Sequence, residues 1–230
     1  MMMKYLLAFL LSFTYVCGFA QQISYEEWKK ESKDNIRLLP EYGHVPKIAG
    51  QIEADQRLID TELKQNGTHR KASDQLIKLG FSYLYQGDIK TAMYRFNQAY
   101  LLDPKNENIY WGFGAVYSSF NDSKAAIAQY DKGLAMNPKS SVILTDKATI
   151  YFVDSQKDGS QEKLNTAIKL LTTSYGIDAA NMNTTYKLSV CYFLRKDCTN
   201  AWRFYNECMK QGGQPIVKEY TEALKKQCNK

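Results

Sequence analysis

Past residue 20, apolar side chains recur every three or four positions, with polar residues between them. That is the period of helices with one buried face. Residues 46–66 carry Ile48, Ile52, Leu58, Ile59 and Leu63 at helical spacing, with Glu53, Asp55 and Asp60 opposite, which predicts an N-terminal cap helix. A shorter amphipathic helix is expected around 25–33, followed by a loop through Pro40, Gly43 and Pro46. At the other end, residues 215–228 read as a terminal helix with Ile216, Val217, Tyr220 and Leu224 on its apolar face and Lys225 and Lys226 at its close.

Between these ends the pattern repeats. Residues 73–106 align without a gap on 107–140: Leu79 meets Phe113, Gly80 meets Gly114, Tyr83 meets Tyr117, Ala92 meets Ala126, Phe96 meets Tyr130, Ala99 meets Gly133, and Pro104 meets Pro138. Gly87-Asp88 and Asn121-Asp122 mark the same turn. Small residues let two antiparallel helices approach, the aromatic fills the space between them, and the proline ends the second helix. The period continues through 141–181, where Ala148, Tyr151, Ala167 and Leu171 hold the corresponding positions and seven extra residues are expected as a polar loop over 154–161. It resumes in 182–215 with Leu188, Ser189, Tyr192, Ala201 and Tyr205 in register and Gly212-Gly213 in place of the proline.

This unit of 34 residues resembles the tetratricopeptide repeat (TPR), whose Leu-Gly, Tyr, Ala, Phe, Ala and Pro positions it reproduces. The resemblance implies an all-α fold: a right-handed superhelical stack of helical hairpins with capping helices at both ends. The expected organisation is a leader at 1–20, an extension and cap helix at 21–72, four repeats at 73–106, 107–140, 141–181 and 182–215, and a capping helix at 216–230. It further implies a concave binding surface lined by the first helix of each repeat. By position, that lining is Ile77, Phe81, Leu84 and Tyr85, then Trp111, Ala115 and Ser118, then Thr145, Asp146, Thr149 and Phe152, then Tyr186, Lys187, Val190 and Phe193. Some TPR proteins clamp a C-terminal carboxylate with Lys, Asn and Arg. Here Ile77, Phe81, Gly112 and Asp146 hold those places, so such a clamp is not expected. An aromatic, nearly uncharged groove suits a peptide with apolar anchors. Most other aromatics, among them Tyr83, Tyr117, Tyr151 and Tyr192, are expected in the core.

The first twenty residues break the helical pattern. A basic start, Met1 to Lys4, precedes an apolar stretch over 5–16 and small residues at Gly18 and Ala20, which is the arrangement of a cleavable export signal. Cleavage after Ala20 would leave 29 basic against 24 acidic residues, a net charge of +5 without a concentrated basic stripe. Nucleic acid is therefore not an expected partner. No later apolar run approaches the roughly 18 residues of a membrane span. Hydrophobic residues at 44% exclude wholesale disorder.

Export also changes the meaning of the cysteines. Cys191, Cys198, Cys208 and Cys228 would remain, and an oxidising compartment favours disulfides over a metal site lacking any Cys-x-x-Cys. Cys198 with Cys228 would staple the terminal cap; Cys191 with Cys198 is the competing pair. No catalytic residue, cofactor or metal is expected: His44 and His69 lie outside the repeats, and no HExxH, GxxxxGK[ST] or GxGxxG occurs. The expected function is thus that of a periplasmic, cell-surface or secreted scaffold binding a protein or peptide. The alternatives are a structural envelope subunit with its groove filled by its own chain, or a carbohydrate binder.

Overall fold

The computed structural model describes residues 23–228, so the expected leader and Cys17 lie outside the described residues. A short helix α1 (Tyr25–Glu31) and two 3-10 turns (Ile36–Leu38, Pro40–His44) precede ten further helices. These are α2 (Ala49–Asn66), α3 (His69–Tyr85), α4 (Ile89–Leu102), α5 (Asn108–Ser119), α6 (Ser123–Met136), α7 (Ser141–Asp158), α8 (Gln161–Ile177), α9 (Met182–Leu194), α10 (Cys198–Lys210) and α11 (Lys218–Gln227). No strand occurs among the described residues. Helices α3 to α10 pack as four antiparallel hairpins stacked in chain order, an all-α TPR-like solenoid.

Three of the four hairpin turns share one plan, a left-handed residue followed by an aspartate. Gly87, Asn121 and Lys196 take the left-handed backbone (φ 81°, 59° and 60°) that ends the first helix. The next residue, Asp88, Asp122 or Asp197, caps the second helix by accepting from the backbone N–H three residues on at 3.0, 2.9 and 3.1 Å. Its own N–H bonds back to the carbonyl of the repeat tyrosine, Tyr83, Tyr117 or Tyr192.

Inside the hairpins the aromatic of the second helix lies directly on backbone. A Cβ added at Gly80 or Gly112 would stand 2.5 or 2.4 Å from the Phe96 ring, and one at Gly114 would stand 2.2 Å from the Tyr130 ring. Phe96, Tyr130, Ala92 and Ala126 are almost wholly buried. The third hairpin differs from expectation. Its seven extra residues form no loop; α7 runs to Asp158 and α8 starts at Gln161, with only Gly159 and Ser160 between them. Residues 154–158 keep helical hydrogen bonding, so the insertion lengthens both helices.

The N-terminal segment behaves as a strap. Trp28 and Leu38 are 1% and 0% exposed and belong to the core of the first two hairpins. The strap crosses the second helices: Tyr25 donates to Asp122 at 2.6 Å, Asn35 donates to Tyr94, and Glu31 pairs with Lys90. Asn97, fully buried on α4, donates to the Arg37 and Leu39 carbonyls (2.8 and 2.9 Å) and accepts from the Tyr42 N–H (3.2 Å). Those bonds hold a left-handed turn at Glu41, Tyr42 and Gly43, a conformation that costs L-residues roughly 1–2 kcal/mol each. Buried Glu41 is matched by Lys132 on α6 and by His44.

Helix α2 caps the stack less than its pattern predicts. It buries no residue fully; Ile59 and Leu63 rest on the core, whereas Ile48 and Ile52 are 72% and 57% exposed. At the far end, Tyr220 and Leu224 of α11 are buried, and a disulfide joins Cys198 at the start of α10 to Cys228 just past α11 (Cα–Cα 5.5 Å). The competing Cys191–Cys198 pair is absent: Cys191 and Cys208 are free, buried thiols that fill space between helices. Burial pushes the Cys191 thiol up to about 12, so it has no thiolate character at neutral pH.

Two stability predictions follow from this packing. Gly114→Ala should cost about 1–3 kcal/mol, because Tyr130 cannot move away from the new methyl. Gly176→Ala, at a helical site with nothing within 4 Å, should gain up to about 1 kcal/mol; urea denaturation of both variants measures the contrast. Cys198→Ser with Cys228→Ser removes a cross-link of sequence separation 30, worth about 3–4 kcal/mol in the chain-entropy model. Hydrogen exchange should then accelerate in α11 while α3 to α6 stay protected.

Candidate functional site: the concave groove

The first helices α3, α5, α7 and α9 line one face of the stack, and two cavities open along it. The smaller, about 240 Å³, lies between α3, α5 and α7, with Phe81, Leu84, Tyr85, Ser118 and Asp146 on its walls. The larger, about 320 Å³, lies between α7 and α9, with Phe152, Val153, Tyr186, Lys187 and Val190 around it and Leu171 of α8 beneath. Thr149 lines both, so the two adjoin. Strap residues line neither; that segment lies on the second helices.

Asp146 anchors the centre. Its Oδ2 accepts from the Trp111 indole N–H at 2.7 Å, and its Oδ1 stands 3.7 Å from the Lys187 ammonium, so one carboxylate ties α5, α7 and α9 together. Trp111 in turn packs on Phe81 at a centroid distance of 4.0 Å. Thr149 donates to the Thr145 carbonyl at 2.8 Å, which leaves its methyl for the groove. Tyr85 is the most open ring, 81% exposed. Burial raises the Tyr130 phenol, and the Asp146 charge raises it further; the same two causes, in the same order, raise Tyr85.

The positions assigned from the sequence divide into three groups. Leu84, Tyr85, Ala115, Ser118, Asp146, Thr149, Phe152, Tyr186, Lys187 and Val190 line a cavity, and so does Phe81 while being only 8% exposed. Ile77 and Thr145 are core residues, 4% and 2% exposed, out of reach of a partner. Thr145 spends its hydroxyl on Ser174 and Thr184 inside the α7–α8–α9 junction. Phe193 packs on Tyr220 of α11 at 5.6 Å, so the terminal helix covers it, and Trp111, which lines neither cavity, is held by Asp146. Sequence reasoning omitted Leu171, Tyr130 and Val153 because it assigned the groove to first helices at fixed positions. The signal for Leu171 was visible: it is the one second-helix position of the first three repeats where the aromatic is missing.

A third cavity, about 290 Å³, lies between the strap and α2. Its charges are already answered: Lys47 pairs with Asp55 and sits over the Tyr42 ring, and Arg37 lies 3.8 Å over Tyr94. Neither histidine is placed for nucleophilic or metal chemistry. His69 Nδ1 is 2.8 Å from the Leu102 carbonyl, and His44 Nε2 is 2.9 Å from Glu41. Among the described residues no group of three His, Cys, Asp or Glu side chains is placed to hold a metal ion.

Asp146→Ala should loosen the centre of the groove. Losing a charge-assisted bond to Trp111 costs about 1.5–3 kcal/mol, readable by urea denaturation and by a shift in tryptophan emission. The phenolic titration of Tyr85, followed at 295 nm in a difference experiment against Tyr85→Phe, should move down toward its ordinary value.

No family model matches the chain, and no curated protein matches it. Among solved structures, the chain is similar to crystal structures of MamA at 16% identity and TM-score 0.48, over 74% of this chain and 98% of that one, and at 15% and 0.49 over 70% and 93%. It is similar at 14% identity and TM-score 0.37 to PilW, described as a widely conserved type IV pilus biogenesis factor, over 69% of this chain and 87% of that one. At such identities and scores, what those proteins do does not carry over to this chain.

Proposed function

We propose that this chain is an exported scaffold that binds a protein or peptide partner in its concave groove. The observation that carries the reading is the pair of adjoining cavities on the first-helix face, floored by fixed side chains, while the strap occupies the opposite face. A pre-formed, mostly apolar concavity with a few placed polar groups is the usual form of a binding site. The leader pattern of residues 1–20 supports delivery to the periplasm, the cell surface or the medium. No described helix is long and apolar enough to cross a membrane.

A second reading, docking as a structural subunit through the outer surface, draws on the exposed Val45, Ile48 and Ile52 beside the strap. The two readings separate by experiment. Trp111→Ala and Phe81→Ala are unsuitable probes, since both rings are part of the fold. Tyr85 and Val153 are exposed at the groove, so a photo-crosslinking residue at either position reports contact without disturbing the core. The expected outcome is one partner captured from the native extract at positions 85 and 153, and lost when Val153→Glu is combined with Tyr85→Ala. Capture from position 48 alone, unaffected by the groove variants, would move the function to the outer surface.

A further inference from the structure

The larger cavity has a cause in the repeat. At the interface of the first two hairpins, Phe96 projects from the second helix onto Gly112 of the next first helix. One repeat later the corresponding residues are Tyr130 and Asp146, and one further they are Leu171 and Lys187. The third interface therefore lacks the ring that fills the first two. Ala148, at the position of Gly80 and Gly114, replaces only part of the missing volume. The result is about 320 Å³ of open space above Leu171, walled by Phe152, Val153, Tyr186 and Val190. A space of that size takes one large side chain, and its walls are mostly apolar: Thr149 donates its hydroxyl to the Thr145 carbonyl, and Tyr186 carries the other hydroxyl on the lining.

Lys187 is the one charged side chain on this cavity, and Asp146 the one on its neighbour, both among the described residues. The Lys187 ammonium is 3.7 Å from Asp146, beyond a normal hydrogen bond, and its remaining donors find no acceptor among the described residues. Asp146 meanwhile has a full hydrogen bond from Trp111. At the mouth of the larger cavity stands a cation with donors to spare, next to apolar walls.

Building on the groove reading above, we infer that the partner is a peptide segment that seats one large apolar side chain (Phe, Trp, Leu or Met) above Leu171 and presents a carboxylate beside it to Lys187. The carboxylate comes either from an adjacent Asp or Glu or from a chain terminus; the chemistry is the same. The rest of the peptide runs past Thr149 toward Asp146. The third interface is thus the specificity-determining one, because its cavity is the larger of the two and its walls are the more apolar.

The test is selection of bead-bound random octapeptides by the protein, in two arms, one with free C-termini and one with amidated C-termini. Wild type should enrich a large apolar residue next to Asp or Glu in both arms, or next to the terminus in the free arm alone, which identifies the source of the carboxylate. Lys187→Glu should shift the enrichment from acidic to basic neighbours. Leu171→Phe, which restores the aromatic of the other repeats, should weaken selected peptides by about tenfold or more. Val190→Trp fills the same space from the opposite wall should Leu171→Phe fail to fold, and circular dichroism melts check each variant. Peptides that depend on Tyr85 and Val153 but show neither the apolar–acidic pair nor its reversal would overturn this inference and leave the groove as a binding site. Absence of any peptide sensitive to groove substitutions would overturn both.

Discussion

The close approach of an aromatic ring to glycine backbone sets the geometry of this protein. Phe96 rests on Gly80 of its own hairpin and on Gly112 of the next, and Tyr130 rests on Gly114. Phe96 fixes both the distance within its hairpin and the spacing to the next, and Tyr130 the distance within its own, since no side chain lies between ring and backbone. Ring burial of this kind is worth about 1.5–3 kcal/mol per side chain, and the interior is too dense to absorb an added methyl without moving a helix. The turn motif then fixes hairpin reversal with one left-handed residue and one aspartate, three times over. The stack is regular where these contacts recur and opens where they do not. The groove's main cavity is the consequence of a missing ring at Leu171.

Most of the repeat was legible because its signal is chemical identity at fixed spacing. Gly80, Gly114, Ala92 and Ala126 pack as their 34-residue recurrence predicts, whereas Tyr83, Tyr117, Tyr151 and Tyr192, expected in the core, are only partly buried against it. The extra length of the third repeat was misread because Asp154, Ser155, Gln156, Lys157 and Asp158 are polar. Polarity alone does not distinguish a loop from the solvent face of a longer helix, and Gly159 was the true break, with φ +72°. The strap was harder still. Its helix and turns are short, and their hydrogen bonds go to Asn97, more than fifty residues away along the chain. Nothing local in 25–44 announces Asn97 as its partner, so Trp28 and Leu38 could not be placed in the core beforehand.

The groove shows the same limit from another side. Assigning first-helix positions by repeat register places residues on a face, and most of those so assigned do line the cavities. Register cannot say which of them the neighbouring repeat covers. Ile77 and Thr145 are taken into the core, and Phe193 is covered by α11, because burial is decided by the adjacent hairpin's side chains. The disulfide pairing yielded more readily: hairpin topology puts the start of α10 beside the end of the capping helix, and a cross-link needs little else than that proximity.

Strap and tether together bear on how the groove can work. Solenoids of stacked hairpins bend because each unit touches only its neighbours. Here the strap spans from α4 to α6, joining two hairpins across their second helices, and the Cys198–Cys228 bond fixes the final helix to the fourth hairpin. Both restraints act away from the concave face. Asp146 adds a third on the concave side by linking α5, α7 and α9. A groove whose walls are held at both ends and in the middle loses little conformational freedom when a ligand enters, which is the main cost a flexible site would meet. On the proposed reading, such a groove would select its partner by the fixed volume above Leu171 and by the sign of the charge at residue 187.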